Sequence, residues 1–397
     1  MIDGTAATNG RSVIRVLAVI GQLDVGGAEK HLVRVMSSLR TRGLDVRVFA
    51  LKGGGALAPA LQGAGVPVYF HTHRRPGLLG VLQAACLLRR VVQRERPDVL
   101  HFFLPAAYLV GSVCSATVRT KRVMSRRSLA TYQARYPGVR AAERLLHRHM
   151  DAVLANSRAV AAELLAEGVP HERLGLIHNG VAIPAAAPGR DDARARLAIA
   201  EGALVMVCVA NLIPYKGHRD LLAALERIRD RLPGDWLLLL VGRDDGIGAA
   251  LQSQAARAGI AAHIRWVGSV GNVIDYLAAA DIGVLASHEE GFSNAILEGM
   301  SAGLSMVVTD VGGNAEAVVD GECGRVVPAQ APAELGAALL EFALDPARRA
   351  ACGERARARV AGHFSEARCI ELYRELYRRL AEGVSPVIPP GAGLDLA

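Results

Sequence analysis

Short uninterrupted apolar runs, closed by glycine, proline, asparagine or aspartate, alternate along the chain with longer stretches whose apolar positions recur every three or four residues. In the first half the short runs are IRVLAVI (14–20), DVRVFAL (45–51), PVYFH (67–71), DVLHFF (98–103), RVMS (122–125), AVLAN (152–156) and GLIHN (175–179). In the second half they are LVMVCVA (204–210), WLLLLVG (236–242), IRWVG (264–268), IGVLAS (282–287), LSMVVTD (304–310) and CGRVV (323–327). Strands that are apolar on both sides are the ones helices cover on both faces of a parallel sheet. The pattern predicts an α/β chain of two doubly wound, Rossmann-like domains. PAAAPGRDD (184–192) marks the predicted boundary, with residues 1–185 in one domain and 186–364 in the other. SEARCIELYRELYRRLAEG (365–383) reads as an amphipathic helix, with Cys369, Leu372, Leu376 and Leu380 on one side and Tyr373 and Tyr377 alongside. Residues 384–397 read as a flexible tail. Two such domains would face a cleft at the carboxyl ends of their strands, where ligands of doubly wound sheets bind.

Composition alters this picture in two places. At 397 residues and 51% hydrophobic content the chain has core material for two domains. The stretch VLHFFLPAAYLVGSVCSATV (99–118) carries no Asp, Glu, Lys or Arg and is long enough to cross a bilayer. His101, Pro105 and Gly111 within it favour a buried strand followed by a buried helix. The N-terminus MIDGTAATNGRS lacks a charged-then-apolar signal pattern. The six cysteines are scattered, with no Cys-x-x-Cys pair and no metal site, which reads as free thiols in a reducing cytoplasm.

Charge is one-sided. Residues 1–185 hold 25 Lys+Arg against 11 Asp+Glu, whereas residues 186–397 hold 21 against 27. A first half with that balance is expected to meet something anionic, such as a membrane surface or a phosphorylated lipid. Nucleic acid is disfavoured, because aromatic residues make up only 4% of the chain, too few for a stacking platform. The 42 arginines against 4 lysines account for much of the basicity but not for its placement.

Candidate chemistry lies in the loops that follow strands. In SHEEGFSNAILEGM (287–300) Glu290 and Gly291 come just after a strand, and Ser293 or Asn294 is placed to cap the next helix. The first-turn amides of that helix favour a phosphate. Glu290 precedes this anion site and Glu298 lies a turn beyond it. Helical rise plus a few loop residues puts their carboxylates on the order of 10–15 Å apart. That is wider than the ~5–9.5 Å of a glycosidase pair. It suits a nucleotide sugar, with Glu298 on the ribose and Glu290 on the sugar. Lys216, in VANLIPYKGH (209–218), is a cation suited to an anionic leaving group. In GQLDVGGAEKHL (21–32), Gly26 and Gly27 permit close backbone approach and an anion-binding nest. This is not Gly-x-Gly-x-x-Gly, which argues against a dehydrogenase. Gly312 and Gly313 form either a second close-approach loop or a plain turn. Arg126 and Arg127 are candidates to meet an anionic acceptor, or else belong to a solvated basic loop.

Taken in order, these motifs resemble the retaining glycosyltransferases of family 4, which have the GT-B fold. The resemblance runs from GGAEKHL through ANSRAV (155–160), IHNGV (177–181) and NLIPYKG to EGFSNAILEGMSAGLSMVVTDVGGNAE and the terminal helix. It implies that Glu290 contacts the donor sugar, Glu298 the ribose and Lys216 the diphosphate. The backbone of Phe292, Ser293, Asn294, Ala295 and Ile296 would form the phosphate-binding turn, and the terminal helix would pack on the first domain. Two positions depart from the family pattern. Asn211 stands where the family often has Arg, and Phe103 stands where a second histidine often follows His101, leaving His101 as structural as it is functional.

The expected activity is metal-independent transfer of a hexose from a UDP- or GDP-sugar to a hydroxyl acceptor, with retained configuration and no cofactor. No Asp-x-Asp motif is present. The basic first half points to an anionic lipid-linked or glycan acceptor in cell-surface polysaccharide assembly, and to a cytoplasmic protein peripheral on the inner membrane face. A nucleotide-sugar epimerase of the same architecture and a non-catalytic nucleotide-sugar-binding protein are the alternatives.

Overall fold

The computed structural model describes residues 13–70, 78–183 and 188–386. Residues up to His178, together with those from Cys369 onward, form one compact unit, and Asn179–Arg368 form a second. Unit one holds β1 (Arg15–Ile20), β2 (Asp45–Ala50), β3 (Val68–Phe70), β4 (Val99–Phe103), β5 (Lys121–Arg126), β6 (Ala152–Ala155) and β7 (Leu174–Leu176). They lie side by side in the order β3-β2-β1-β4-β5-β6-β7. Unit two holds β8 (Leu204–Val209), β9 (Trp236–Val241), β10 (Ile264–Gly268), β11 (Ile282–Leu285), β12 (Ser305–Thr309) and β13 (Gly324–Val327), ordered β10-β9-β8-β11-β12-β13. Neighbouring strands pair in parallel throughout. Both sheets are doubly wound and Rossmann-like, with helices on both faces.

The reason the strands read as continuous apolar runs is visible in β1. Val16, Ala18 and Ile20 pack with Leu32, Val35 and Met36 of the helix Gly27–Thr41 and with the terminal helix Glu366–Ala381. Leu17 and Val19 face the other way, toward Leu88 and Val92 of the helix Leu78–Glu95 and Tyr108 of the helix Pro105–Ser115. Neither side of the strand meets water, so no polar position is tolerated.

Two expectations need amendment. The units divide at 178/179 and 368/369 rather than at 185/186 and 364/365. A proline- and alanine-rich stretch marks where regular structure lapses, whereas contacts change hands where the chain leaves β7. There Val181 bridges to Ser365, and the Glu366 amide donates to the Val181 carbonyl at 2.9 Å. Residues 184–187 of the predicted linker and 387–397 of the predicted tail lie outside the described residues, as do residues 1–12. The uncharged stretch 99–118 forms β4 and the helix Pro105–Ser115, but that helix is buried on one side only, and Val113 is 71% exposed. No helix among the described residues is long and apolar enough to cross a membrane. All six cysteines are free.

The terminal helix is held by a buried polar cluster. One ring nitrogen of His101 (Nδ1) lies 2.6 Å from the Tyr377 hydroxyl, and the other (Nε2) lies 2.7 Å from Ser125 Oγ. His31 Nε2 lies 3.2 Å from the Tyr373 hydroxyl, which also accepts from Arg127 Nη1 at 3.4 Å. Burial, reinforced by the Arg127 charge, holds both histidines well below the usual imidazole range. They are therefore neutral when folded, and an unfolded chain would protonate them near pH ~6.5. Their contribution is complete above that pH and declines as pH falls toward the folded-state values, by up to ~1.4 kcal/mol per histidine per pH unit. Melting curves on going from pH 6.5 to 5.5 should register that loss. Tyr377→Phe, which strands a buried imidazole nitrogen, should destabilise unit one by about 1–3 kcal/mol in denaturant titrations.

Candidate functional site

In unit two the chain steps outward from β8 to β9 and β10, then returns to place β11 on the other side of β8. The strand order thus reverses between β8 and β11, the place where doubly wound sheets bind ligands. The loop after β8 carries Lys216 and the loop after β11 carries Glu290. Lys216 Nζ donates to Glu290 Oε1 at 2.5 Å, and the Ser287 hydroxyl donates to the same oxygen at 2.8 Å. The lysine side chain is 19% exposed and the glutamate 10%. The residue read as gripping the sugar and the one read as meeting the diphosphate are therefore brought together, and in this state they neutralise each other.

The backbone around the pair is tightly fitted. Gly217 follows Lys216 with φ +68°, and a Cβ there would lie 1.7 Å from the Ala286 carbonyl oxygen. Gly312, after β12, has φ +54°, and its Cβ would lie 1.8 Å from the Glu290 carbonyl oxygen. The Gly313 amide donates to the Gly291 carbonyl at 2.9 Å. The glycine pair, read as a close-approach loop for a ligand or a plain turn, makes its close approach to the glutamate loop of its own chain. The Thr309 hydroxyl donates to the Ser287 carbonyl at 2.5 Å, and His288 Nε2 meets Asp220 Oδ2 at 2.6 Å. Three loops are laced into one rim. Beneath Lys216 lies an uncharged floor. Burial, then the lysine's own charge, pushes His218 down to about 4, and burial pushes the Cys208 thiol up to about 12.

The helix Asn294–Ser301 begins at this rim, with Ser293 in the N-cap position. The Ser293 side chain makes no cap hydrogen bond, so the amides of the first turn are not satisfied from that source. Gly291, Phe292 and Ile296 are buried, and Asn294, Ala295 and Glu298 are half-buried. Asn179 fixes the turn from below. Its Nδ2 donates to the Phe292 carbonyl and to Asn294 Oδ1, both at 2.8 Å. Asn211 sits beside this assembly and accepts from the Arg243 amide at 3.1 Å.

The remaining predicted residues belong to unit one. Gly26 is the N-cap of its helix, and a Cβ there would lie 2.3 Å from the Glu29 carboxylate. That carboxylate accepts from its own backbone amide. The turn at Gly26 and Gly27 thus faces an acid of its own chain, where sequence reading offered it to an anion. His101 is wholly buried with both nitrogens engaged, so it anchors the terminal helix and does not face an acceptor. Arg126 is likewise corrected. It is buried, with Nη2 on Glu143 at 2.9 Å and Nη1 on Glu167 at 2.5 Å. Burial alone would raise the Glu167 carboxyl, but bonds from His147 and Arg126 outweigh it and hold it down to about 2. Arg127 stays half-exposed. Ser287 and Asn179 were missed as functional positions. Both are polar residues at the end of an otherwise apolar run, which is the signal that would have found them.

Comparison with known proteins bears on the whole chain. A family model described as Glycosyltransferase Family 4 matches residues 25–183, and one described as Glycosyl transferases group 1 matches residues 189–359. The chain is 29% identical over 376 residues to a D-inositol 3-phosphate glycosyltransferase of Streptomyces avermitilis, covering 87% of this chain and 81% of that one. A protein of the same name from Thermobispora bispora is 28% identical, with 94% of each chain covered. Among solved structures, Anabaena HepE in complex with UDP aligns with a TM-score of 0.81 at 23% identity, covering 91% of this chain and 99% of that one. Sucrose-phosphate synthase from Thermosynechococcus elongatus aligns with a TM-score of 0.81 at 20% identity, covering 93% and 100%. These two likenesses establish the fold.

The fit at Gly312 is testable by stability alone. Gly312→Ala adds a left-handed backbone penalty to a collision with the Glu290 carbonyl and should cost about 2 kcal/mol or more. For a unit of this size that lowers the melting temperature by about 4–8 °C, as read by calorimetry.

Proposed function

The chain belongs to glycosyltransferase family 4 and has the GT-B fold, and from that premise we propose that it transfers a hexose, with retention, from a UDP- or GDP-sugar to an anionic acceptor. Use of a nucleotide sugar follows from the family. The observation that supports the finer reading is the Lys216–Glu290 pair at the strand-order reversal, beside a helix N-terminus whose Ser293 side chain makes no cap bond.

As the bond between the sugar and the diphosphate breaks, negative charge develops on the leaving phosphate. Lys216 and the first-turn amides from Ser293 to Ile296 stabilise that charge, so the reaction proceeds without a metal ion. A diphosphate arriving here competes with Glu290 for the lysine. Once Lys216 turns to the phosphate, the Glu290 carboxylate is released to orient the sugar hydroxyls, with Ser287 still holding one oxygen. Glu298 binds the ribose. The acceptor hydroxyl attacks from the side the diphosphate leaves, and the departing phosphate takes its proton.

The basic unit one supports an acceptor that is itself anionic, a lipid-linked or glycan intermediate of cell-surface glycan assembly used at the inner face of the membrane. A second reading, a small phosphorylated polyol or sugar, is supported by the inositol phosphate named for the curated relatives and by the sucrose-phosphate synthase neighbour.

In a thermal-shift screen the donor nucleotide sugar should stabilise the protein by about 2.7 kcal/mol at a hundredfold excess over Kd. Glu290→Gln should lower transfer by at least ~10²-fold, yet bind UDP as tightly as wild type or more so, because Lys216 no longer has a competing carboxylate. Lys216→Ala should lose both affinity and rate. Asn179→Ala, which frees the Phe292 turn, should weaken UDP about tenfold in calorimetric titration, the equivalent of one good hydrogen bond. Normal transfer by Glu290→Gln would refute the assignment.

A further inference from the structure

We propose that the outer side of three neighbouring helices of unit one is a docking face for an anionic lipid bilayer. The helices Leu78–Glu95, Pro105–Ser115 and Pro137–His147 pack side by side, with Pro105–Ser115 in the middle. The middle helix lies within the uncharged stretch 99–118. A surface helix ordinarily turns charged and polar residues outward. This one turns out Ala106 and Val113, the latter 71% exposed, with Leu109 half-buried beside them. Beside it, Leu79, Val81 and Leu82 of the first helix are 51%, 47% and 53% exposed. Large apolar side chains left exposed on neighbouring helices are what an interaction site presents.

The borders of this apolar centre are cationic. On the third helix and at its C-cap, Arg140, Arg144 and Arg148 recur every four residues on one exposed line, next to Leu145. None of the three forms an ion pair among the described residues, and the one acid of that helix, Glu143, is buried on Arg126. On the opposite border Arg89 and Arg90 are exposed, followed by Arg96 and Arg119 at the base. Of the acids near that border, Glu95 is held by Arg47 and Arg94, Asp98 accepts from the Arg15 amide and Asp151 pairs with Lys121. An apolar strip flanked on both sides by unopposed arginines matches acyl chains beneath anionic headgroups. A nucleic acid would call for aromatic stacking, and among the described residues Tyr136, at the N-cap of the third helix, is the only large exposed aromatic of this region. The inference deepens the lipid-linked reading of the acceptor and rests on it for its biological sense, but the face can be tested separately.

Cys86 lies on the helix Leu78–Glu95 and is the exposed cysteine of the six. The full-length protein, labelled there with an environment-sensitive fluorophore, is mixed with phosphatidylglycerol–phosphatidylcholine vesicles or with phosphatidylcholine alone. Flotation and a blue-shifted, brighter label are expected with the anionic vesicles only. The combined Arg140→Glu, Arg144→Glu and Arg148→Glu variant should lose at least on the order of 10²-fold in partitioning, at about fivefold per arginine. The same reversal in unit two, at the exposed Arg227, Arg231 and Arg257, should leave partitioning within a few-fold of wild type. No flotation with anionic vesicles, flotation with an unchanged label, or an equal loss in the unit-two variant overturns the proposal. Stabilisation by UDP is measured on the same samples. UDP binding without flotation removes the docking face and leaves the transferase reading standing, whereas flotation without UDP binding does the reverse.

Discussion

A lysine and a glutamate 74 residues apart share one hydrogen bond at the point where the second sheet reverses its strand order. Much of unit two serves to keep them there. The backbone must turn sharply after Lys216, pass against the Ala286 carbonyl, and then bring the β12 loop against the Glu290 carbonyl. Glycine is the residue that allows such approaches, because a side-chain carbon would overlap an oxygen. The neutral His218 and Cys208 below add no charge of their own to the pair. The pair is thus a stored contact with two exchangeable partners, rather than two independent binding groups.

Unit one uses arginine in two opposite ways. Arg126 is sealed with Glu143 and Glu167, where loss of one partner would strand a charge in the interior. Further along the chain, Arg140, Arg144 and Arg148 are exposed and form no ion pair among the described residues, since Glu167, the acid that shares their hollow, is taken by Arg126 and His147. The net positive charge of this half is therefore not spread evenly. The buried share supports the fold and the exposed share sets the field outside it.

The strands were legible because strands covered on both faces leave an unbroken apolar signature, and all thirteen form where that signature lies. Lys216, Glu290 and the turn between Gly291 and Ile296 were legible for a related reason: they follow strands directly, and strand ends are easily located. Their direct contact was not legible, since nothing local tells a side chain which residue 74 positions away it will meet. His101 was left open between a structural and a functional role, and Arg126 between an acceptor contact and a solvated loop, because sequence alone does not show which way a polar residue on an apolar strand points. Both point inward, toward partners contributed by distant segments: Tyr377 for the histidine and Glu167 for the arginine. Asn179 escaped notice for the same reason, as its partners lie more than a hundred residues ahead.

Unit one is discontinuous in sequence, because its last helix is Glu366–Ala381 and the whole of unit two is inserted before it. A ribosome synthesises the inserted unit completely before it makes the tyrosines that cover His31 and His101. During that interval one apolar face of the first sheet lacks the part of its cover that the last helix supplies, and His31 and His101 lack their tyrosine partners. Co-translational folding must therefore finish the second unit first and the first unit last, with the final turns of helix acting as the closing stitch.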